Sequence, residues 1–316
     1  MKTILITSIG TATSVNLFKL LKEKYRIVAT DTNPYGYTAG SMLVDEFIQV
    51  PMFDKDDYIG VLNEIIRQYN IDLLIPVHDL EVQMVARNKN RIETKVLVPS
   101  VAVIDQLSDK LISTLEAAKL EVPVAEIVKE ASSIYGNKEV IKRSKHGVGS
   151  RGIAVYKAEE IPTGLLKKSY ENEDYLVQEY IDGEEYTVDV ASNHDGEPFL
   201  IIPRRRKEVK AGVATKVEII RDEMLIEYTK KIVQHYKLPA FSNVQFIKKD
   251  GRYYFIECNY RYGGMSVASA MASYNYVEAV MDNLLQGTPL PKGINQFPIK
   301  WNAIVTRYYE EQIYEA

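Results

Sequence analysis

Two short stretches near the C-terminal end constrain the fold of this chain most. They read Phe241-Ser242-Asn243-Val244-Gln245-Phe246 and Tyr253-Tyr254-Phe255-Ile256-Glu257-Cys258-Asn259, with Asp250-Gly251 between them. Each alternates polar with apolar residues, the period of a strand, so Asn243 and Gln245 leave one face of the first arm and Glu257 and Asn259 one face of the second. Asp-Gly marks a reversal, and the two arms form a hairpin. Parity then matters. A two-residue Asp-Gly loop would pair Gln245 with Ile256 and send Gln245 and Glu257 to opposite faces. A three-residue turn, Lys249-Asp250-Gly251, gathers Asn243, Gln245, Glu257 and Asn259 on one side. These four groups offer oxygen ligands, which suit Mg²⁺ or Mn²⁺ better than zinc. A solvent-facing edge hairpin would carry similar letters, but such a face normally shows Lys, Thr and Glu. Arg261 and Gly263-Gly264 follow at once and lead into a helical run, and an arginine beside a glycine-rich helix start is equipment for binding anions.

Asn-Val-Gln-Phe followed by Ile-Glu-Cys-Asn-Tyr-Arg resembles the metal-binding hairpin of the ATP-grasp superfamily, in particular its carbamoyl-phosphate synthetase and biotin carboxylase branch. Tyr260 stands where that branch has a proline. The resemblance implies that Gln245 and Glu257 hold one Mg²⁺, that Glu257 and Asn259 hold a second, and that Arg261 faces the transferred phosphate or the acyl group. It also implies ATP as nucleotide and, for the fold, a Rossmann-like α/β domain followed by a two-lobed ATP-grasp domain of α+β character. The expected divisions are 1–98, 99–186 for the small lobe with a glycine-rich lid, and 187–316 for the large lobe with the metal site.

The rest of the chain fits this frame. Up to about residue 98 strands alternate with helices: Ile4-Leu5-Ile6, a helix from Ser14 to Lys24, Ile27-Val28-Ala29-Thr30, a helix from Asp57 to Tyr69, Leu73-Leu74-Ile75 and Val96-Leu97-Val98. That order predicts a parallel sheet covered by helices. Gly10-x-Ala12 with Asp31 resembles a degraded dinucleotide fingerprint whose second and third glycines are missing, so a pyrophosphate would meet side chains where it needs bare backbone. Glu81 lies beyond the third strand, where α/β sheets bind ligands, and a solvated carboxylate at a helix start is the plain alternative.

Further on, the strand Glu139 to Ser144 runs into His146-Gly147-Val148-Gly149-Ser150-Arg151-Gly152 and a strand at Ile153-Ala154-Val155. Such a loop can close its backbone N–H groups over phosphates. The resemblance assigns Lys142 to the α- and β-phosphates, with Gly147, Gly149 and Arg151 in the lid; Lys110 either joins them or is a surface helix residue. Leu176 to Asp189 resembles the segment whose linker, here Glu179, Tyr180 and Ile181, holds adenine and whose carboxylate, here Glu185, binds ribose. Arg204-Arg205-Arg206-Lys207 is the densest positive run. Strand alternation lets one pair serve a site, and Arg205 with Lys207 are expected to face the acyl group, leaving Arg204 and Arg206 to solvent.

The net charge of −4 and pI of about 5.8 give no global reason to expect nucleic acid or an acidic membrane. A single cysteine, Cys258, excludes an intramolecular disulfide and fits a reducing compartment, here the cytoplasm. No run approaches the length of a membrane helix. The expected function is ligation of a small carboxylate to an amine or thiol through an acyl phosphate, releasing ADP and phosphate. Expected partners are those small molecules, with no nucleic acid and no membrane; a homodimer is compatible with the resemblance. The rivals are an ATP-dependent phosphotransferase or nucleotide sensor and, from the N-terminal fingerprint, a dehydrogenase.

Overall fold

The computed structural model describes residues 1–128, 139–146, 152–162, 164–166, 174–210 and 212–315. The first sheet is parallel, built from β1 (Thr3–Ile6), β2 (Arg26–Asp31), β3 (Glu46–Gln49), β4 (Leu73–Ile75) and β5 (Lys95–Val96) in the order β3-β2-β1-β4-β5. Its strands are apolar on both sides because both are covered. Ile4, Ile6, Ile27, Ala29, Leu73 and Ile75 join one core, with Leu17, Phe18 and Leu21 of α1 (Ala12–Leu21). Leu5, Val28 and Leu74, the residues between them, join the other, with Ile59, Leu62 and Ile66 of α2 (Tyr58–Tyr69) and Val82 and Val85 of α3 (Asp79–Arg87). β3 and α3 are additional to the elements legible in the sequence, and α1 starts two residues early because the Thr11 hydroxyl accepts the Ser14 N–H at its cap.

Helices α4 (Val101–Ser108) and α5 (Lys110–Lys119) lead out of this sheet. Asp109 caps α5, accepting from the N–H groups of Leu111 and Ile112 at 2.7 and 3.1 Å. A three-stranded antiparallel sheet follows, in the order β7 (Ala154–Lys157), β6 (Glu139–Ser144), β8 (Tyr175–Glu179). The third sheet is antiparallel with six strands: β9 (Glu184–Ser192), β10 (Pro198–Lys210), β11 (Val213–Ile219), β12 (Ala240–Lys249), β13 (Arg252–Asn259) and β14 (Ile304–Thr306), ordered β13-β12-β9-β10-β11-β14. The boundary expected at 186 falls inside β9. β14 pairs with β11 and closes this edge of the sheet. Helix α6 (Glu223–Tyr236) packs on this sheet, while α7 (Val267–Ala272) and α8 (Tyr276–Gln286) follow β13.

The first and third sheets share a core: Ala191, Leu200, Ile202, Val217 and Tyr276 belong to the same apolar cluster as Ile4 and Leu17. At its rim Asp282 of α8 accepts from Tyr25 and Lys24, both at 2.6 Å. The N-terminal domain is therefore fixed against the large sheet, and its helix α3 reaches the large cleft.

Candidate active site

The β12–β13 hairpin turns on two residues. Lys249 pairs with Arg252, and Asp250 and Gly251 both sit at positive φ, 49° and 78°, the geometry of a type I′ turn. The expected three-residue turn is thus replaced by the two-residue one that, followed strictly, would have split the polar face. A bulge restores parity. Phe246 pairs with Phe255 but Gln245 pairs with Glu257, so Ile256 is the extra residue on β13. Gln245 then lies opposite Glu257 and Asn243 opposite Asn259. The Asn259 amide donates to Asn243 Oδ1 and Glu257 Oε1, both at 3.2 Å. One carboxylate with amide oxygens fits a Mg²⁺ that takes its remaining ligands from phosphates and water. Cys258 points to the opposite side, buried, and burial pushes its thiol well above the usual range, which removes it as a nucleophile.

These groups line a cleft of about 550 Å³ between the small and large sheets. Lys110, Glu179, Tyr180, Ile181, Glu185, Gln245, Glu257, Asn259 and Arg261 all border it. The connector from β8 to β9 is pinned: the N–H groups of Glu179 and Tyr180 donate to the carbonyls of Glu126 and Glu139 at 2.8 and 2.9 Å. It passes so close to the hairpin that a Cβ on Gly183 would meet the Lys248 carbonyl at 2.2 Å. Gly147, Gly149 and Arg151 lie outside the described residues.

Two charged strands present other faces than expected. On β6, Ile141 and Arg143 border the cleft, whereas the Lys142 ammonium sits over the Tyr175 ring, 4.7 Å from its centroid. Arg143, which the sequence reading leaves without a named role in the site, is buried, donates to the Ile256 carbonyl at 3.1 Å and feels the charge of Glu257. Burial lowers its pKa and that of Lys110, with Glu257 opposing the shift in both. On β10 the pair facing the cleft is Arg204 with Arg206. Arg205 and Lys207 lie on the outer face, bound to Glu218 at 2.5 and 3.3 Å. The strand's alternation holds, but the enclosed face is the other one, because neighbouring strands decide which face is covered.

Arg206 Nη1 lies 2.6 Å from Glu185 Oε2 and 3.4 Å from Gln245 Oε1, linking the expected ribose carboxylate to an expected metal ligand. Arg204, 3% exposed, grips Asp189, 1% exposed, through two bonds of 2.6 and 2.9 Å. The hydroxyls of Ser266 and Ser269 donate to the same carboxylate at 2.6 Å each, and the Gly263 N–H donates to Ser266 Oγ at 3.1 Å. Asn16 of α1 and Arg307 both donate to the Gly264 carbonyl. The glycine turn is thereby held by α1, by Arg307 and, through Ser266, by Asp189 of β9.

Arg261 makes a bidentate pair with Asp79 at the start of α3, at 2.8 and 2.9 Å. Burial works against its charge, and Asp79 together with Glu257 and Tyr260 more than offsets that. Glu81 is neither solvated nor in the cleft. It is 2% exposed and accepts from Tyr58, Thr7 and Ser8 at 2.5, 2.7 and 3.3 Å. Asp31, at the place of a ribose-binding carboxylate in the degraded fingerprint, accepts from the Gly10 N–H at 2.8 Å and from Asn33. Thr38 lies where a side chain at Gly10 would be.

Residues 171–304 match the family model described as ATP-grasp in the biosynthetic pathway with Ter operon, and residues 4–99 match the PylC-like N-terminal domain. The carbamoyl phosphate synthase large chain of Thermoplasma volcanium is 26% identical over 212 residues, 61% of this chain and 20% of that protein. The one from Clostridium botulinum (strain Alaska E43 / Type E3) is 25% identical over 271 residues, 78% of this chain and 25% of that protein. This chain therefore spans about a fifth to a quarter of these curated relatives. Among solved structures, the biotin carboxylase domain of Hydrogenobacter thermophilus 2-oxoglutarate carboxylase, in complex with MgADP, ADP and bicarbonate, superposes with a TM-score of 0.74 at 18% identity, over 94% of this chain and 72% of that one. Staphylococcus aureus N5-carboxyaminoimidazole synthetase with ADP gives 0.72 at 15% identity, over 97% and 82%. Likeness at that identity speaks for the fold, and the two domain matches agree with it: residues 171–304 carry an ATP-grasp domain behind a PylC-like N-terminal domain.

Proposed function

We propose that this chain is an ADP-forming ligase that phosphorylates a small carboxylate with ATP and lets an amine or thiol capture the acyl phosphate. The observation that carries the reading is the bulged hairpin, which sets Gln245 opposite Glu257 and Asn243 opposite Asn259 in one cleft with Arg143 and Lys110. Phosphoryl transfer needs positioning and charge neutralisation more than a nucleophilic side chain, and the cleft offers cations, a carboxylate and amides. Lys110 and Arg143 would bind phosphate oxygens, Glu185 the ribose, and the 179–181 connector the base. Gln245, Glu257 and Asn259 would hold Mg²⁺, one ion or two, which neutralises phosphate charge when bound. Arg206 keeps Glu185 and Gln245 in register across the nucleotide. With its single cysteine, the chain would act in a reducing cytoplasm.

ADP release measured against added carboxylates, amines and Mg²⁺ tests the reading. Glu257→Gln should fold normally and lose about a hundredfold or more in turnover, the scale of one missing electrostatic contact in a transition state. Near-normal turnover of that variant at saturating Mg²⁺ would sink the metal-site assignment, and ADP release indifferent to any carboxylate would favour a phosphotransferase.

A further inference from the structure

Past Arg206 the cleft changes character. β10 runs on to Lys210 and β11 begins at Val213, and near those ends they line the cleft with aliphatic groups: Val209 and Val213 are 41% and 40% exposed. Ile153, 46% exposed, borders the cleft from the small lobe, and Gly264 with Met265 adjoins from the glycine turn. A Cβ on Gly264 would lie 3.4 Å from Val213 Cγ1 and 3.5 Å from Thr13 Oγ1, so the hairpin, the turn and α1 converge. The same hairpin carries Lys207, Glu208, Lys210 and Lys216, which pair among themselves and with Glu218. A hairpin that merely met solvent would carry polar groups on both faces. This one keeps aliphatic groups where the cleft is.

Three neighbouring arginines are already matched. Arg204 is matched by Asp189, Arg261 by Asp79, and Arg206 by Glu185. Those three arginines are held by carboxylates of the protein itself, and exposed aliphatic side chains in a concave wall gain by covering. Resting on the ligase reading, we propose that this end of the cleft receives the substituent of the acyl donor, and that the substrate is a carboxylic acid bearing an apolar group, branched aliphatic or aryl, close to its carboxylate. Its carboxylate meets the γ-phosphate beside Glu257, and its apolar group lies along Val209, Val213 and Met265.

Hydroxylamine makes this testable without knowing the natural nucleophile. The carboxylate oxygen bonds to the γ-phosphorus as the bond to the bridging oxygen breaks and ADP leaves. The hydroxylamine nitrogen then bonds to the carbonyl carbon, the bond to the phosphate oxygen breaks, and phosphate leaves as the nitrogen gives a proton to solvent. The full chain is assayed with MgATP and hydroxylamine on matched acids that differ in the apolar group: glycine against leucine, acetate against 3-methylbutanoate, with aspartate as the charged control. ADP and hydroxamate are both read, and MgATP binding is measured by calorimetry. The apolar member of at least one pair should exceed its small partner in kcat/KM by about tenfold or more, the scale of apolar pocket discrimination. Val213→Ser and Val209→Ser should each cut that preference several-fold by raising KM for the acid, with KM for ATP unchanged. Equal or better use of glycine, acetate or aspartate, or an unaltered preference in both variants, overturns the apolar subsite while the ligase reading stands. MgATP binding without hydroxamate from any acid overturns both.

Discussion

Asp189→Asn is the substitution from which the packing behind the cleft can be read. The carboxylate accepts four bonds, two from Arg204 and one each from Ser266 and Ser269, all between 2.6 and 2.9 Å and away from water. An asparagine keeps the shape but supplies one acceptor oxygen and turns an NH₂ toward groups that are themselves donors. The serine hydroxyls can rotate; the guanidinium cannot. Arg204 is left as a buried cation without a counter-charge, a situation that costs about 3–5 kcal/mol. At roughly 2 °C per kcal/mol for a chain of this size, the apparent Tm should fall by about 6–10 °C. Removing the stranded charge as well, in Asp189→Asn with Arg204→Gln, should recover part of the loss, giving a coupling of about 2 kcal/mol in the double-mutant cycle. Calorimetry and urea titration of the four proteins provide the measurement. A single variant that melts within about 2 °C of the parent, or a double variant whose loss equals the sum of the singles, would refute the view of this pair as a buried, mutually dependent unit.

The two faces of β10 make a matched comparison: Arg206→Ala, which severs Glu185 from Gln245, should lower turnover about a hundredfold, whereas Arg205→Ala removes outer-face pairs worth about 0–1 kcal/mol and should leave kinetics near normal. Equal kinetic losses would mean that the cleft does not use that face. Burial pushes the Glu81 carboxyl above its ordinary 4.5, so the folded chain holds this proton more tightly than the unfolded chain. Its contribution to stability should fall as pH rises from the ordinary value through the raised one and then level off. Glu81→Gln should flatten that slope in urea titrations run across the window, and an identical slope in the variant would contradict it.

Much of this arrangement is local and therefore legible in the sequence. The alternation that sets Asn243 with Gln245, and Glu257 with Asn259, is a property of the strand itself, as are the apolar runs of β1, β2 and β4 that demand a sheet covered on both sides. The basic strand likewise divides into two pairs by its own period. Which pair meets the cleft is another matter. Arg204 and Arg206 face inward, and Arg143 in place of Lys142, because β9, β12 and β8 lie where they do and fix which side of each strand is enclosed. The hairpin shows the same division. Asp250-Gly251 dictates a two-residue turn that would have split the polar face, and the bulge at Ile256 reunites it. Burial of Glu81 and the four-bonded Asp189 are likewise invisible in one dimension, because their partners come from helices and strands up to 80 residues away. A strand's own geometry gives its residues two faces, and only packing between sheets makes one of those faces the wall of a cleft.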